Sequence, residues 1–156
     1  MSANKELYLR YQEALGTKDP AALDAAIDEV VAPDFVGHDL PPGLPPGTAG
    51  LKEIRRRVHA AFPDQRAVVE DMIEEGDRVA GRLSATMTHL GEFQGIAATA
   101  QRITIEFVDI VRIAEGRSRN DEPSLTAARC SSDYERPVRV EGKATGLARP
   151  LGWRRD

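Results

Sequence analysis

Residues 102–113 form an alternating apolar run with one break in its pattern. Ile103, Ile105, Phe107, Val111 and Ile113 recur every second position, and Asp109 shares their parity. Side chains in a strand alternate sides, so an ionisable carboxylate is aimed into an apolar interior. Burial of that kind is costly and favours the protonated acid unless something compensates it. A carboxylate in dry surroundings, within reach of a substrate, has what a general base needs. The alternative is an aspartate satisfied by an arginine or by backbone N–H groups at a sheet edge.

His89 shares parity with Val79, Leu83, Ala85 and Met87. It is expected to face the same interior and to polarise a carbonyl or hold a proton that Asp109 removes. The other reading is a buried histidine bonded to backbone. His38, between Val36 and Leu40, is either a donor at the mouth of a pocket or a loop anchor, and His59 reads as surface or boundary. Other chemistries find little support. Three histidines and the single cysteine, Cys130, cannot build a cysteine-type zinc site, and no serine lies in a nucleophile-elbow pattern. Residues 91–95 hold two glycines without the strand-to-helix setting of a phosphate loop. The basic triplet Arg55, Arg56 and Arg57 reads as a solvated face. No cofactor and no metal is expected.

These residues need elements to position them. Residues 4–18 carry Leu7, Tyr8, Tyr11 and Leu15 at helical spacing. Asp19 as N-cap with Pro20 behind it opens a second helix, with Leu23, Ile27 and Val30 on one face and Pro33 as its stop. Residues 35–40 read as a short extended arm, followed by a proline- and glycine-rich loop over residues 41–47. Thr48 is expected to cap a third helix bearing Leu51, Ile54, Val58 and Phe62. After Gln65 the period changes to two. Strands follow at 67–73, 78–89 and 102–113, the first pair joined by a tight turn at Glu75, Gly76 and Asp77. Helices first and hairpin-linked strands afterwards predict an α+β domain, its helices packed on one face of a strongly curved antiparallel sheet. The cone between the two layers is a natural ligand pocket.

The 156 residues suffice for one such domain. A net charge of −4 disfavours nucleic acid as partner, and no apolar run is long enough to span a membrane. One cysteine and an N-terminus without a secretory pattern point to the cytoplasm. Charge divides the chain. Residues 1–117 carry 13 basic and 19 acidic residues, whereas residues 118–156 carry 8 and 6 and hold no Ile, Met or Phe. The expected organisation is therefore a cone domain over 1–117 and an atypical, irregular tail over 118–156.

The order and spacing of several pieces resemble the SnoaL-like polyketide cyclases, or ester cyclases, of the NTF2-like superfamily. They are Phe35-Val36-Gly37-His38-Asp39 and Gly50-Leu51-Lys52 with Phe62-Pro63-Asp64. They continue through Glu75-Gly76-Asp77-Arg78-Val79-Ala80, Thr88-His89-Leu90-Gly91-Glu92-Phe93-Gln94-Gly95-Ile96, and Asp109-Ile110-Val111-Arg112-Ile113-Ala114-Glu115-Gly116-Arg117. The resemblance implies an NTF2-like cone that closes a ring by intramolecular aldol condensation without cofactor or metal. It implies Asp109 as the base and His89 as its helper. A small, hydrophobic, polyketide-like ligand would lie among His38, Phe35, Phe62, Met87, Phe93 and Phe107. It also implies a homodimer or homotetramer. Related cones serve as isomerases, epoxide hydrolases or non-catalytic binding domains, which remain the competing functions.

After Arg117 the chain departs from the family pattern, which continues with a strand similar to Ile-Val-Glu-His-Trp. Here Ser118, Arg119 and Asn120 lead to Pro123, a poor start for a central strand. A reading-frame slip near Arg117 would account for this, because bases encoding Ser-Arg-Asn can read Ile-Ala-Glu when displaced by one. The expected consequence is an unpaired edge on the strand that carries Asp109.

Overall fold

In the computed structural model the chain opens with a helix, α1 (Ala3–Gly16), capped by the Ser2 hydroxyl, which accepts the Lys5 N–H at 3.2 Å. The structure describes residues 1–38, 40–114, 117–119 and 129–131, the last two stretches by backbone course alone. Leu7, Tyr8, Tyr11 and Ala14 form the buried stripe of α1. In α2 (Pro20–Val30) the Asp19 carboxylate accepts the Ala22 N–H at 2.9 Å, and Pro20 stands where a missing N–H costs nothing. Helix α3 (Gly47–Ala61) starts one residue before the expected cap. Pro46 occupies the N-cap position with no side-chain hydrogen bond, so Thr48 lies inside the helix.

The sheet is antiparallel. Strand β1 (Arg66–Glu75) pairs with β2 (Arg78–Thr88), which pairs with β3 (Arg102–Ala114). Gly76, at φ +60°, makes the tight β1–β2 turn, a conformation that glycine adopts without the Cβ penalty. A bulge between Val69 and Asp71 shifts the β1 register and bends that edge strand. The turn is tied to β3 as well, because Asp77 accepts the Ile113 N–H at 2.7 Å through its carbonyl and the Arg112 Nε–H at 2.6 Å through its carboxylate.

Two expectations are corrected. Among the described residues of 35–40 none belongs to a strand. The Phe35 N–H bonds back to the Ala32 carbonyl at 3.0 Å, and the Leu40 N–H to the Gly37 carbonyl at 3.4 Å, so these amides bond locally rather than into the sheet. Pro33 and Gly37 favour turns. The β3 edge, in turn, is partly covered. Strand β4 (Arg117–Arg119) pairs with Arg112–Ala114, and β5 (Arg129–Ser131) pairs with Thr104–Glu106. Among the described residues no strand pairs with residues 107–111 on that side. Most of the segment read as irregular lies outside the described residues.

The helices cover one face of the sheet, which is the expected α+β arrangement. One core cluster joins Leu7, Tyr8, Tyr11, Leu23, Ile27, Phe35 and Leu51 to Val79, Leu83, Val111 and Ile113. A second joins Ala61 and Phe62 to Ala85 and Met87. Phe107 packs against both. Among the described residues no helix is long and apolar enough to cross a membrane. Leu83, at 1% exposure, sits centrally beneath the helices. Leu83→Ala should therefore cost about 2–5 kcal/mol in urea unfolding, with an unchanged m-value. A loss below about 1 kcal/mol would place the core elsewhere.

Candidate active site

The parity of β3 is realised. Val111 and Ile113 are buried on the face toward the helices, and Asp109, on the same side, is half-buried. The carboxylate is compensated, by partners other than those the sequence suggested. Tyr8 donates its hydroxyl to one carboxylate oxygen, and the Gln12 amide donates to the other at 2.8 Å. Both donors come from α1, four residues apart and hence on one helix face. Nothing in the β-strand pattern signals them. The available hint was a tyrosine and a glutamine at i, i+4 on the helix stripe, and it reads as ordinary amphipathicity.

Tyr8 is fully buried. Burial pushes its phenol far above the ordinary value, and the Asp109 charge and hydrogen bond push it the same way. Tyr8 therefore remains a protonated donor at any pH the folded protein meets. Its ring lies 6.5 Å from that of Tyr11, tilted by 45°.

His89 is buried as expected, at 8% exposure, but the register separates it from Asp109. Gly81 is the residue opposite Asp109, and His89 lies eight residues further along, beyond the Thr88–Arg102 pair. At about 3.3 Å per residue, that is roughly 26 Å of strand. The two side chains do not share a proton. The His89 ring stacks on Phe62 with centroids 5.2 Å apart, and its Nδ1 lies 3.2 Å from the Thr99 hydroxyl. Its Nε2 is buried with no hydrogen-bond partner among the described residues.

The expected pocket residues divide between the two ends. Phe35 is buried with Tyr8 in the first cluster. Phe62 and Met87 are buried in the second, with Phe93 packed against them and edge-on to Phe62 at 5.4 Å. Phe107 links the two groups, one same-face position from Asp109. His38 is exposed and belongs to neither cluster. An open depression of about 420 Å³ lies elsewhere, lined by Pro45, Ala49, Lys52, Glu53, Arg56 and Arg57. Among the described residues no group of three or more His, Cys, Asp or Glu is placed to hold a metal ion.

A second polar cluster joins α1 to α3. Arg55 donates its Nε–H to the Leu15 carbonyl at 2.9 Å and an Nη2–H to Gln65 at 3.0 Å. Its Nη2 also lies 3.2 Å from His59 Nε2. Arginine only donates, so His59 Nε2 accepts and the ring proton resides on Nδ1. Burial lowers the His59 pKa, and the Arg55 charge lowers it further.

Helices on one face of an antiparallel sheet, with a carboxylate held between the layers, are the α+β arrangement expected of an NTF2-like fold. The sequence profile of the SnoaL-like polyketide cyclases matches residues 5–122, and the chain belongs to that family. Its fold is similar to that of TsrD from Streptomyces laurentii, at 20% identity and a TM-score of 0.67, covering 82% of this chain and 87% of that one. AclR from Streptomyces galilaeus is 30% identical with a TM-score of 0.59, over 74% of this chain and 69% of that one. IdmH from Streptomyces antibioticus is 27% identical with a TM-score of 0.58, over 74% and 86%. No curated protein sequence matches the chain.

The His59 contact generates a pH prediction. A histidine whose folded pKa lies below its unfolded value contributes stability that is present above about pH 6.5 and lost as pH falls through the folded pKa. The His59 ring proton should titrate below pH 6.5 by NMR, and His59→Gln should flatten the loss of stability between neutral and mildly acidic pH. A midpoint at or above 6.5 contradicts the assignment.

Proposed function

We propose that the chain is a cyclase that closes a ring within a small polyketide-like substrate, using Asp109 as its base and no cofactor. The observation that carries this reading is the Asp109 carboxylate on the sheet face beneath the helices, with each oxygen held by a neutral donor from α1. Asp109 takes a proton from a methylene flanked by carbonyls, and the resulting enolate attacks a carbonyl carbon of the same molecule. The new alkoxide recovers the proton. Once Asp109 is protonated its hold on Tyr8 and Gln12 weakens, and both donors can turn to the enolate oxygen. That assigns to α1 the helping role first considered for His89. Phe107, one same-face position from Asp109, and the edge-on Phe62–Phe93 pair supply apolar aromatic surface on the same side of the sheet.

The same two donors support a second reading, hydrolytic opening of an epoxide, since they could hold a water against Asp109. The reading extends to assembly as well. Val68 and Ile73 leave apolar side chains exposed on β1, at 55% and 70%, which suits pairing with further copies of the chain in a homodimer or homotetramer. The single cysteine is compatible with work in the cytoplasm.

The test uses a β-ketoester carrying a pendant aldehyde, with ring closure followed by chromatography. A positioned base contributes about 10²–10⁴-fold, so Asp109→Asn should reduce kcat/KM at least about 100-fold while the melting temperature holds. Near-normal turnover in that variant removes Asp109 from catalysis. Diol formation from an epoxide, with no ring closure, selects the second reading.

A further inference from the structure

We infer that Gly81 is a positioning residue: its lack of a side chain opens the passage through which the Tyr8 hydroxyl crosses β2 to reach Asp109. The inference rests on the proposal that Asp109 is the working carboxylate, although its geometry stands without it. Gly81 and Asp109 are direct partners in the β2–β3 register, so a Cβ on Gly81 would point to the side of the sheet that Asp109 occupies. Its flanking same-face residues, Val79 and Leu83, are buried at 0% and 1% exposure, and a glycine between them leaves a slot one side chain wide. The Tyr8 ring fills that slot. A Cβ at Gly81 would stand 2.7 Å from Tyr8 Cε1, with Cζ and the hydroxyl oxygen closer still. These are approaches that real Cβ atoms do not make.

The neighbours leave little room to accommodate it. Tyr8 is fully buried on α1, and its ring is hemmed by Tyr11 on the helix side. A methyl group at position 81 would therefore displace the whole ring, and its hydroxyl would leave Asp109. Glycine inside a strand weakens the strand, and here that cost accompanies the close approach of another group. Tyr8 and Gly81 thus form a matched pair: a long polar side chain from the helix and a vacancy in the sheet beneath it. Gln12 reaches the other carboxylate oxygen independently and would remain.

Two measurements test this without reference to turnover. In the intact chain labelled with 13C at tyrosine Cζ, the Tyr8 resonance should show no ionisation through alkaline pH. In Gly81→Ala the Tyr8 Cζ resonance should shift and its ionisation should move to lower pH than in the intact chain, because the hydroxyl has left Asp109. The second measurement is a melting cycle. Gly81→Ala alone should lower Tm by about 5 °C or more, and in a Tyr8→Leu background it should lower Tm by less than about 2 °C. If Gly81→Ala does not fold alone, rescue by Tyr8→Leu carries the same meaning. Equal losses in both backgrounds, or a Tyr8 resonance unchanged by Gly81→Ala, overturn the inference.

Activity then separates the two claims. Gly81→Ala and Tyr8→Phe should each reduce kcat for the β-ketoester about tenfold or more, and the double variant should be no worse than the poorer single one. If the resonance and the melts behave as expected while Asp109→Asn retains full turnover, Gly81 still positions Tyr8, and only the catalytic reading falls.

Discussion

An ionisable carboxylate on the covered face of a sheet must find partners, and in this protein it finds them across the layer boundary. Strand β3 delivers Asp109 to the inner face by its two-residue repeat, and that repeat alone would leave a charge among Phe107, Val111 and Ile113. Helix α1 removes the conflict by placing Tyr8 and Gln12 on its inward stripe. The interaction orients the carboxylate and fixes how α1 lies on the sheet. It also shapes β2, where the residue under the Tyr8 ring has no side chain. Three elements distant in sequence thus meet at one anion.

The interior has two ends with different characters. Around Asp109 the first cluster combines a charge, two neutral donors and aliphatic packing from α1 and α2. At the other end Phe62 packs with Phe93 and Met87 and stacks on His89, whose ring lies by the Thr99 hydroxyl. Phe107 spans the gap. A substrate whose reacting carbon lies at Asp109 would meet Phe107 next, so the wall beside the base is aromatic rather than polar. The hydrogen-bond donors at Asp109 come from α1, and the imidazole belongs to a separate neighbourhood.

The strand that bears Asp109 is paired unevenly. On one side β2 pairs with it from Arg102 to Arg112, which holds the register that sets Asp109 opposite Gly81. On the other side, among the described residues, β4 and β5 pair with its two ends. The β1–β2 turn adds a second anchor through Asp77, whose carbonyl and carboxylate both bind β3 near Ile113. The position of Asp109 thus depends chiefly on β2 and α1.

Much of the architecture was legible from local rules. Asp19 and Pro20 announced the start of α2, the change of period after Gln65 announced the sheet, and Gly76 announced the turn, because each is a property of neighbouring residues. The extended arm at residues 35–40 misled, since a short apolar run beside Pro33 and Gly37 fits turns as well as a strand. The inward aim of Asp109 followed from parity, a backbone property that needs no partner. What satisfies Asp109, how far His89 stands from it and why position 81 carries no side chain were decided by tertiary structure. Those facts depend on the register of two strands and the seating of one helix, which bring together residues about 100 positions apart.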